Sequence, residues 1–576
     1  MPAKFRLSSL LKREYWMNQE RSLVGIALAI GVVSGFSAAI LVWMIGFIGD
    51  SLRVTHPAHM PWWAIFAPAL GGLLVGPIVT KAAPETRGHG VPEVMLAVAR
   101  NRGRIRPRVA VLKALASAIS IGTGGSAGRE GPIVQIGSAV GSAMGGLFRV
   151  GPDMVRMFVA CGAAGGIAAS FNTPIAGVVF ALEVILRDFT GRAFATVVIS
   201  SVTASVVSRG LLGQAAFFHV PNYQLVSNWE LLPYVFLGIG GAFVARMFVL
   251  VLYTLEDGFD NLRFPEMLKP ALGGLLLGGL AYGLPEVLGT GHTPIEAALR
   301  GEMASHILLM LVLGKVLATS LTLGSGGSGG VFAPSLFMGA MFGGAFGHVV
   351  ALLFPNTPIE PGAYAVVGMG VVFAGSTWAA MSGILILFEM THDYGLILPM
   401  MIGCVTATIV AKRLSPDSIY TLKLRRRGID LSDAAAPVLM HLQVADVMTP
   451  DPETIDVGAP LVDLLKQVEI SDHSGFPVVD ADGRLKGLIT YAELRDATAV
   501  DETGREFLIA SDIMRPFRPT IAPGADLNEA VEKMKGAGVR RLPVIAPDGE
   551  GFLVGIVTNH DVVSALARVA QERKGQ

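Results

Sequence analysis

Long apolar runs alternate with short polar or Gly-rich stretches along the first 412 residues of the chain. A helix needs about 20 residues to cross a bilayer, and four runs reach that length, at residues 23–48, 62–83, 232–256 and 268–288. Other apolar runs are cut by Gly, Pro or a charge, which predicts tilted or partial helices packed inside protein; they lie at residues 108–120, 133–150, 155–168 and 174–190, and again between 305 and 412. The pattern predicts a helical protein that crosses the membrane many times.

Two Gly-rich segments interrupt this apolar part at corresponding places. Residues 122–132 read GTGGSAGREGP and residues 324–334 read GSGGSGGVFAP, 202 positions later, with six of eleven residues identical. A Gly-rich loop that ends in Pro before an apolar segment predicts a broken membrane helix, whose next helix begins with free backbone N–H groups. Such a start attracts anions, because the helix dipole and the amides cooperate and Gly lets an ion approach the backbone. Two such loops predict a transporter with its site between two repeats.

Further matches support the two repeats. Lys113 and Lys315 precede the two Gly-rich loops at the same offset, and GVVFALE, which ends at Glu183, resembles GILILFE, which ends at Glu389. The predicted halves cover residues 20–210 and 230–412. The sequence leaves open whether they run parallel or inverted.

After Lys412 the chain becomes more polar, and a second kind of repeat begins. VADVMTP at 444–450 matches ASDIMRP at 510–516, and GLITYAE at 487–493 matches GIVTNHD at 555–561. Each copy alternates short β-branched runs with helix-like stretches, which predicts two small α/β domains that pack together. The predicted boundaries are a membrane domain at 23–428, a linker at 429–440, and small domains at 441–500 and 507–570.

Composition narrows the class of protein. The chain is 52% hydrophobic and 16% charged with a net charge of zero, which fits a membrane protein and gives no case for nucleic-acid binding. Cys161 and Cys404 lie in apolar segments without metal-ligand spacing, so no metal site is predicted. No arrangement of catalytic residues appears, and the chain is not expected to be an enzyme. Residues 1–22 are basic, and no small-residue cleavage site follows the first long apolar run, which predicts a cytoplasmic segment before an uncleaved span.

Four short motifs carry a family resemblance that covers nearly the whole chain. They are GHGVPE at 88–93, GREGP at 128–132, GGVFAP at 329–334 and Tyr420 in SIYTL. In this order they resemble the CLC family of chloride channels and chloride/proton exchangers, followed by a pair of CBS domains. The resemblance implies a polytopic α-helical membrane fold with inverted repeats and broken helices, plus a cytoplasmic α/β CBS pair. It also implies a homodimer in the inner (plasma) membrane that transports chloride, with protons as partners and other small anions as further candidate substrates.

The resemblance assigns roles to individual residues. Glu130 would be the gating glutamate, whose carboxylate occupies an anion site until it is protonated or displaced; the structural alternative is that it only pairs with Arg129. The backbone amides of Val331, Phe332 and Ala333 and the hydroxyl of Tyr420 would hold the anion. The remaining residues of the expected anion-binding group are His89, Gly90, Arg129 and Gly131.

Two positions depart from the family pattern. His89 stands where the family usually has Ser, so either its imidazole makes anion binding depend on pH or only its backbone contacts the anion. Val184 stands where many exchangers have an internal proton-transfer glutamate, and Val carries no proton. Glu183 beside it is a candidate substitute, although its counterpart Glu389 in the second repeat favours a shared structural role.

The departure at Val184 favours passive chloride conduction gated by Glu130 and regulated by the tail, because coupled exchange needs a proton route from the inside to Glu130. Coupled chloride/proton exchange remains the alternative. A CBS-regulated cation transporter is a remote third reading, because hard cations prefer several carboxylates and the repeated motifs offer only one.

The tail carries a possible nucleotide site, and no cofactor is required. GIVTNHD resembles the ribose-binding signature of CBS domains, with Thr558 and Asp561 placed to bond a sugar or phosphate; the first copy has Thr490 and Glu493 at these positions. ATP, ADP or AMP would bind there as a regulator. The alternative is a purely structural pair of domains.

Overall fold

A computed structural model describes most of the chain in two compact units, Met1–Ile429 and Asp430–Gln576. The described residues are 4–52, 62–187, 189, 191–213, 218, 223, 228–429, 442–471, 473, 475–498, 507–516, 519–537, 539–547 and 551–572. Residues 430–440 of the predicted linker lie outside them.

The first unit is helical, and its two halves repeat one order of helices. The first half contains α1 (Lys4–Ser51), α2 (Ala67–Pro77), α3 (Val91–Ala99), α4 (Arg108–Gly122), α5 (Glu130–Leu147), α6 (Pro152–Phe171), α7 (Pro174–Phe180) and α8 (Gly191–Leu212). The second contains α9 (Leu231–Asn261), α10 (Lys269–Gly283), α11 (His292–Leu299), α12 (Ser305–Gly324), α13 (Phe332–Leu353), α14 (Pro361–Thr377), α15 (Ala380–Thr391) and α16 (Ile397–Leu414). A last helix, α17 (Ile419–Arg426), follows them. Each Gly-rich segment leads into the fifth helix of its half.

Eight segments of the described residues are long and apolar enough to cross a membrane: Leu23–Ser51, Trp62–Ala82, Pro152–Phe171, Ala193–Leu212, Leu231–Asn261, Ser305–Gly324, Phe332–Leu353 and Ile397–Arg426.

Several helix lengths and boundaries differ from the sequence prediction. The run at 268–288 forms only α10, of 15 residues, because Pro285 follows and cannot continue a helix. The run at 155–168, expected to be partial, belongs to the 20-residue helix α6. Partial helices were also expected between 305 and 412, but α12 and α13 have 20 and 22 residues and are long enough to cross a membrane. Helix α1 begins at Lys4 and has no break near residue 22, where the N-terminal segment was expected to give way to the first span.

Glycines bring neighbouring helices into backbone contact at matching places in the two halves. A Cβ on Gly137 of α5 would lie 2.1 Å from the carbonyl oxygen of Gly162 in α6. A Cβ on Gly339 of α13 would lie 2.2 Å from the carbonyl oxygen of Gly368 in α14. Close packing through small residues is typical of membrane helices, and here it holds the helices that follow both Gly-rich loops in place.

The second unit contains two three-stranded sheets, one for each copy of the tail repeat. The strands are β1 (Thr449–Pro450), β2 (Ile455–Asp456), β3 (Gly475–Val479), β4 (Leu485–Thr490), β5 (Arg541–Ile545) and β6 (Leu553–Thr558). The sheet orders are β2-β3-β4 and β1-β6-β5, so the first short strand joins the sheet of the second copy. Helices α18 to α22 surround them, at Leu461–Ile470, Tyr491–Thr498, Ala510–Ile513, Leu527–Ala537 and Asn559–Glu572. Each copy has its own apolar core, around Phe476 and around Leu542.

Candidate functional site

The two Gly-rich loops meet at the centre of the first unit through backbone hydrogen bonds. Gly128 and Gly330 bond each other in both directions, with N–O distances of 2.8 Å and 2.6 Å. The loop at Gly88 joins them, because its amide donates to the carbonyl oxygen of Gly327 and its carbonyl accepts from the amide of Gly329. The structure therefore brings together three of the four segments that carry the family motifs.

Glu130 lies at this junction as the first residue of α5. Its side chain is buried, with 1% exposed, and Oε2 accepts a long hydrogen bond of 3.4 Å from the backbone amide of Ala333. The carboxylate also lies against Gly128, where a Cβ would stand 2.1 Å from Oε2. A carboxylate of the first repeat thus accepts a hydrogen bond from an amide at the start of α13 in the second repeat, where the helix dipole favours negative charge.

The start of α13 supplies the other expected amides. Val331, Phe332 and Ala333 are all buried, and α13 begins at Phe332. The Phe332 ring packs against Phe373, with ring centroids 4.3 Å apart, and against Phe171 at 5.3 Å. The side chain of Phe332 therefore has a packing role.

Tyr420 and His89 lie side by side. Tyr420 is the second residue of α17 and is 1% exposed, and its ring centroid lies 5.9 Å from that of His89. Ser418 caps α17 and exchanges hydrogen bonds with Thr421, which fixes the start of this helix. The fourth motif segment thus approaches the loop that carries His89.

Tyr253 of α9 is a functional candidate that the sequence analysis missed. Its hydroxyl donates to the carbonyl oxygen of Ile419 at 2.5 Å and lies 3.3 Å from His89 Nε2. Because the hydroxyl proton is used by Ile419, the oxygen accepts, and a neutral His89 must carry its hydrogen on Nε2. His89 Nδ1 is then a bare acceptor, and it has no hydrogen-bond partner among the described residues. The ring of a neutral His89 therefore has no further N–H to donate.

The remaining residues of the expected anion-binding group adjoin this junction. A Cβ on Gly131 would stand 2.2 Å from the carbonyl oxygen of His89, so only Gly fits there. Gly90 precedes α3 with φ of +80°, in the left-handed region that favours Gly. Arg129 donates from Nη2 to the carbonyl oxygen of Ser170 at 3.1 Å.

Glu183 and Glu389 form a reciprocal pair of helix caps. The Glu183 carboxylate accepts from the amides of Met381 and Ser382, at 3.3 Å and 2.8 Å, and from the Ser382 hydroxyl at 2.6 Å. The Glu389 carboxylate accepts from the amides of Ile175 and Ala176, at 3.0 Å and 2.7 Å. Each half thus caps the seventh helix of the other half.

Val184 lies beside this arrangement in a π-helical turn, Ala181–Leu186, that continues α7. Its side chain is buried and apolar. The side chain at position 184 therefore offers no group that could accept or release a proton.

The expected nucleotide-binding residues of the tail form helix caps. The amide and hydroxyl of Thr558 both donate to Asp561 Oδ2, at 2.8 Å each. Thr490 makes the same two bonds to Glu493 Oε2 in the first copy. Thr-x-x-acid is the spacing of a capping box, so these side chains have a structural use whether or not a nucleotide binds.

The two acids of the tail differ in their remaining oxygen. Glu493 Oε1 forms an ion pair of 2.7 Å with Arg515. Burial alone would raise the pKa of Glu493, but the hydrogen bonds from Thr490 and the charge of Arg515 hold it below its usual value. Asp561 has no ion pair within the described part of the tail. The second copy therefore has the more available carboxylate.

Comparison with known proteins agrees with the arrangement of loops and helices. Residues 71–412 match the family described as voltage gated chloride channel, and residues 444–499 and 510–568 each match the CBS domain. A ClcB-like protein of Ralstonia nicotianae, named as a chloride channel protein, is 34% identical over 403 residues, or 69% of this chain and 94% of that protein. The H(+)/Cl(-) exchange transporter ClcA of Vibrio parahaemolyticus is 35% identical over 423 residues, or 70% of this chain and 90% of that protein.

Solved structures have the same fold. A slow cyanobacterial Cl⁻/H⁺ antiporter superimposes with a TM-score of 0.65 and 27% identity, over 70% of this chain and 97% of that one. A eukaryotic CLC transporter covers 94% of this chain, with a TM-score of 0.61 and 22% identity. The predicted fold class is confirmed: inverted helical repeats with broken helices, followed by an α/β CBS pair.

Proposed function

This chain belongs to the voltage-gated chloride channel (CLC) family, and from that premise we propose that it moves chloride across a lipid bilayer in exchange for protons. The sequence alone favours passive conduction and keeps exchange as the alternative. The relatives support the alternative better, because the Vibrio relatives are named exchangers and the cyanobacterial structure is that of an antiporter.

The contact between Glu130 and the amide of Ala333 is the observation that carries this proposal. An ionised carboxylate there competes with chloride for the positive end of α13. Protonation removes the negative charge and weakens the hold of the amide on the side chain, so the carboxyl group leaves and an anion takes its place. The Glu130 carboxyl group either accepts a hydrogen bond from the Ala333 amide or carries a proton, and this alternation links the movement of chloride to that of protons.

Neutral donors suit the rest of the pathway. The Tyr420 hydroxyl and the amides of α13 can replace part of the water around chloride without carrying a full positive charge. Transport requires binding weak enough to release the ion, and a fixed cation at these positions would hold it too tightly.

Passive conduction is the second candidate, and two residues of the π-helical turn after α7 favour it. The Glu183 carboxylate is committed to the start of α15, and Val184 carries no proton. Under this reading Glu130 exchanges protons with one side only and acts as a gate.

Proton movement in liposomes distinguishes the two candidates. With purified protein, an imposed chloride gradient and a clamped membrane potential, we expect chloride to drive protons uphill, against the direction of passive leak. A fluorescent pH indicator inside the liposomes measures the proton flux, and a chloride electrode measures the anion flux.

Two results would contradict exchange. Chloride flux without uphill proton movement would establish passive conduction. If the protein remains folded and binds chloride but moves neither ion, the proposed transport function is contradicted. Protein-free liposomes supply the leak rate for both measurements.

We further propose that the protein is a homodimer in the plasma (inner) membrane, with the N-terminus and the CBS tail in the cytoplasm. The family resemblance and the basic residues of 1–22 and 423–427 support this orientation, because basic residues flanking spans favour the cytoplasmic side.

An adenine nucleotide is proposed to bind the tail through the second CBS copy. Replacing Asp561 by Ala in the full-length protein is expected to weaken ATP, ADP or AMP binding about tenfold, because a hydrogen bond to a charged group contributes about 1.5 kcal/mol. Isothermal titration calorimetry in detergent measures the affinity.

Glu493→Ala is the matched control, since the Glu493 carboxylate already forms an ion pair with Arg515. Its nucleotide affinity is expected to stay within about twofold of wild type. Equal losses in the two variants would contradict the assignment to the second copy, and no binding to the wild-type protein would favour a structural CBS pair.

A further inference from the structure

The loop before α11 has the same construction as the loop that carries His89. In the first half, Gly88 and Gly90 flank His89 with φ of +74° and +80°; in the second half, Gly289 and Gly291 flank Thr290 with φ of +56° and +77°. The second position of each loop is thus held between two left-handed glycines, directly before a helix.

Buried lysines anchor the two loops in the same way. Lys113 Nζ donates to the carbonyl oxygens of Thr86 and Gly88, at 2.9 Å and 2.7 Å. Lys315 Nζ donates to the carbonyl oxygens of Val287 and Gly289, at 2.9 Å each. Both lysine side chains are fully buried. Two buried lysine side chains that each bond two loop carbonyls indicate that both loops are held in a defined position.

Each loop also bonds to the Gly-rich segment of the opposite repeat. The amide of Gly88 donates to the carbonyl oxygen of Gly327 at 3.0 Å, and the amide of Gly289 donates to that of Gly124 at 3.2 Å. The loop at Thr290 is therefore the counterpart, in the second repeat, of the loop at His89. Because the repeats are inverted, the two loops face different parts of the ion pathway.

Two cavities meet at the loop of Thr290. One, of about 180 Å³, is lined by Arg129, Glu130, Phe171, Phe218, Thr290, His292, Ile295, Ala333 and Leu336. The other, of about 270 Å³, lies on the Pro285–Pro294 segment and reaches Ile45, Gly49, Ile121, Gly122 and Gly124. Thr290 and His292 line both cavities, so this loop lies between the larger cavity and the smaller one at Glu130. Neither cavity is lined by His89 or Tyr420.

The chemistry around the smaller cavity suits a monovalent anion. Thr290 offers a hydroxyl, His292 an imidazole, and Arg129 a positive charge. Two acids face this path, Glu130 in the smaller cavity and Glu286 in the larger. The volume admits one chloride ion with a few water molecules, since a water takes about 30 Å³.

We propose that Thr290 and His292 form an anion-binding site beside Glu130, in which chloride waits before it reaches the amides of α13. The site would raise the local chloride concentration where the Glu130 carboxyl group leaves its amide. This inference rests on the proposed transport of chloride, but not on its coupling to protons.

Thr290→Val tests the site, because Val has nearly the shape of Thr and lacks the hydroxyl. We expect the chloride concentration at half-maximal radioactive chloride uptake to rise about tenfold, the loss that follows from one hydrogen bond to a charged group. The maximal rate should change little. Thr290→Ser should restore the wild-type value, and His292→Phe should act like Thr290→Val while it keeps ring packing against Phe218.

His306→Phe is the matched control, because His306 is exposed at the start of α12 and lines neither cavity. Its half-maximal concentration should equal that of wild type. An unchanged value in both Thr290→Val and His292→Phe would overturn the proposal, as would a fall in maximal rate alone.

Bromide in crystals of the full-length Glu130→Gln variant gives a readout that does not depend on transport. Anomalous scattering should place bromide within hydrogen-bond distance of the Thr290 hydroxyl, and the additional Thr290→Val change should remove it. Bromide elsewhere in the pathway but not here would overturn the site. Absence of chloride transport by the wild-type protein in liposomes would instead count against the proposed function. The failure of the anion site and the failure of the proposed function are therefore distinguishable.

Discussion

Replacing Glu130 by Gln is expected to reduce chloride-driven proton movement to the level of protein-free liposomes and to leave chloride flux at or above the wild-type rate. Gln resembles the protonated side chain, which carries no charge to compete for the Ala333 amide. It has no proton to exchange, so the link between the two ions is lost while the pathway stays available. The effect is large because the repeated motifs offer no second carboxylate at this junction.

The measurement is the ratio of proton to chloride flux in one liposome preparation. Glu360→Gln is a suitable control, since Glu360 is an exposed acid at the start of α14 and should leave the ratio unchanged. Proton movement that persists in Glu130→Gln would show that another group carries the proton. Loss of both fluxes from folded protein would mean that Glu130 supports the pathway structurally.

The centre of the site was predictable because its chemistry is local and is repeated in the sequence. The two Gly-rich segments combine an interrupted helix, free amides and Pro within eleven residues, and their repetition gave the two halves. The structure then joins them by the paired bonds of Gly128 and Gly330.

Other features could not be predicted because their partners are far apart and carry no motif. Tyr253 is 164 residues from His89, and a Tyr within a long apolar helix has no distinguishing pattern. The hydrogen on His89 Nε2 depends on that contact, so the sequence left the role of the ring open. The loop at Thr290 was missed because its likeness to the His89 loop lies in glycine positions and backbone angles, not in similar side chains.

The capping role of the tail residues could have been found earlier. Thr490 and Glu493, like Thr558 and Asp561, have the Thr-x-x-acid spacing at a strand-to-helix junction, which is a known helix-start signal. By contrast, the end of α10 depended on a single Pro285 in an otherwise apolar run, and hydropathy alone extended that run to residue 288.

Glu183→Gln is expected to destabilise the protein without changing the ratio of proton to chloride flux. A carboxylate accepts all three hydrogen bonds from Met381 and Ser382, whereas the amide group of Gln turns an N–H toward at least one of these donors. Leaving one such donor unsatisfied costs about 2 kcal/mol. Thermal unfolding in detergent measures the loss, and the liposome assay measures the ratio.

Glu389→Gln is the matched control that the internal symmetry provides. Glu389 caps α7 as Glu183 caps α15, so the two variants should lose similar stability, and both should keep the wild-type flux ratio. If Glu183 instead substitutes for the glutamate absent at Val184, only Glu183→Gln will lose proton movement. Because both residues make the same kind of bond, a difference in proton flux between two equally destabilised variants cannot come from the cap. A lower proton flux in Glu183→Gln than in Glu389→Gln would make Glu183 the internal proton carrier. Equal proton flux in the two variants would require the proton to reach Glu130 by a route that bypasses both Glu183 and Val184.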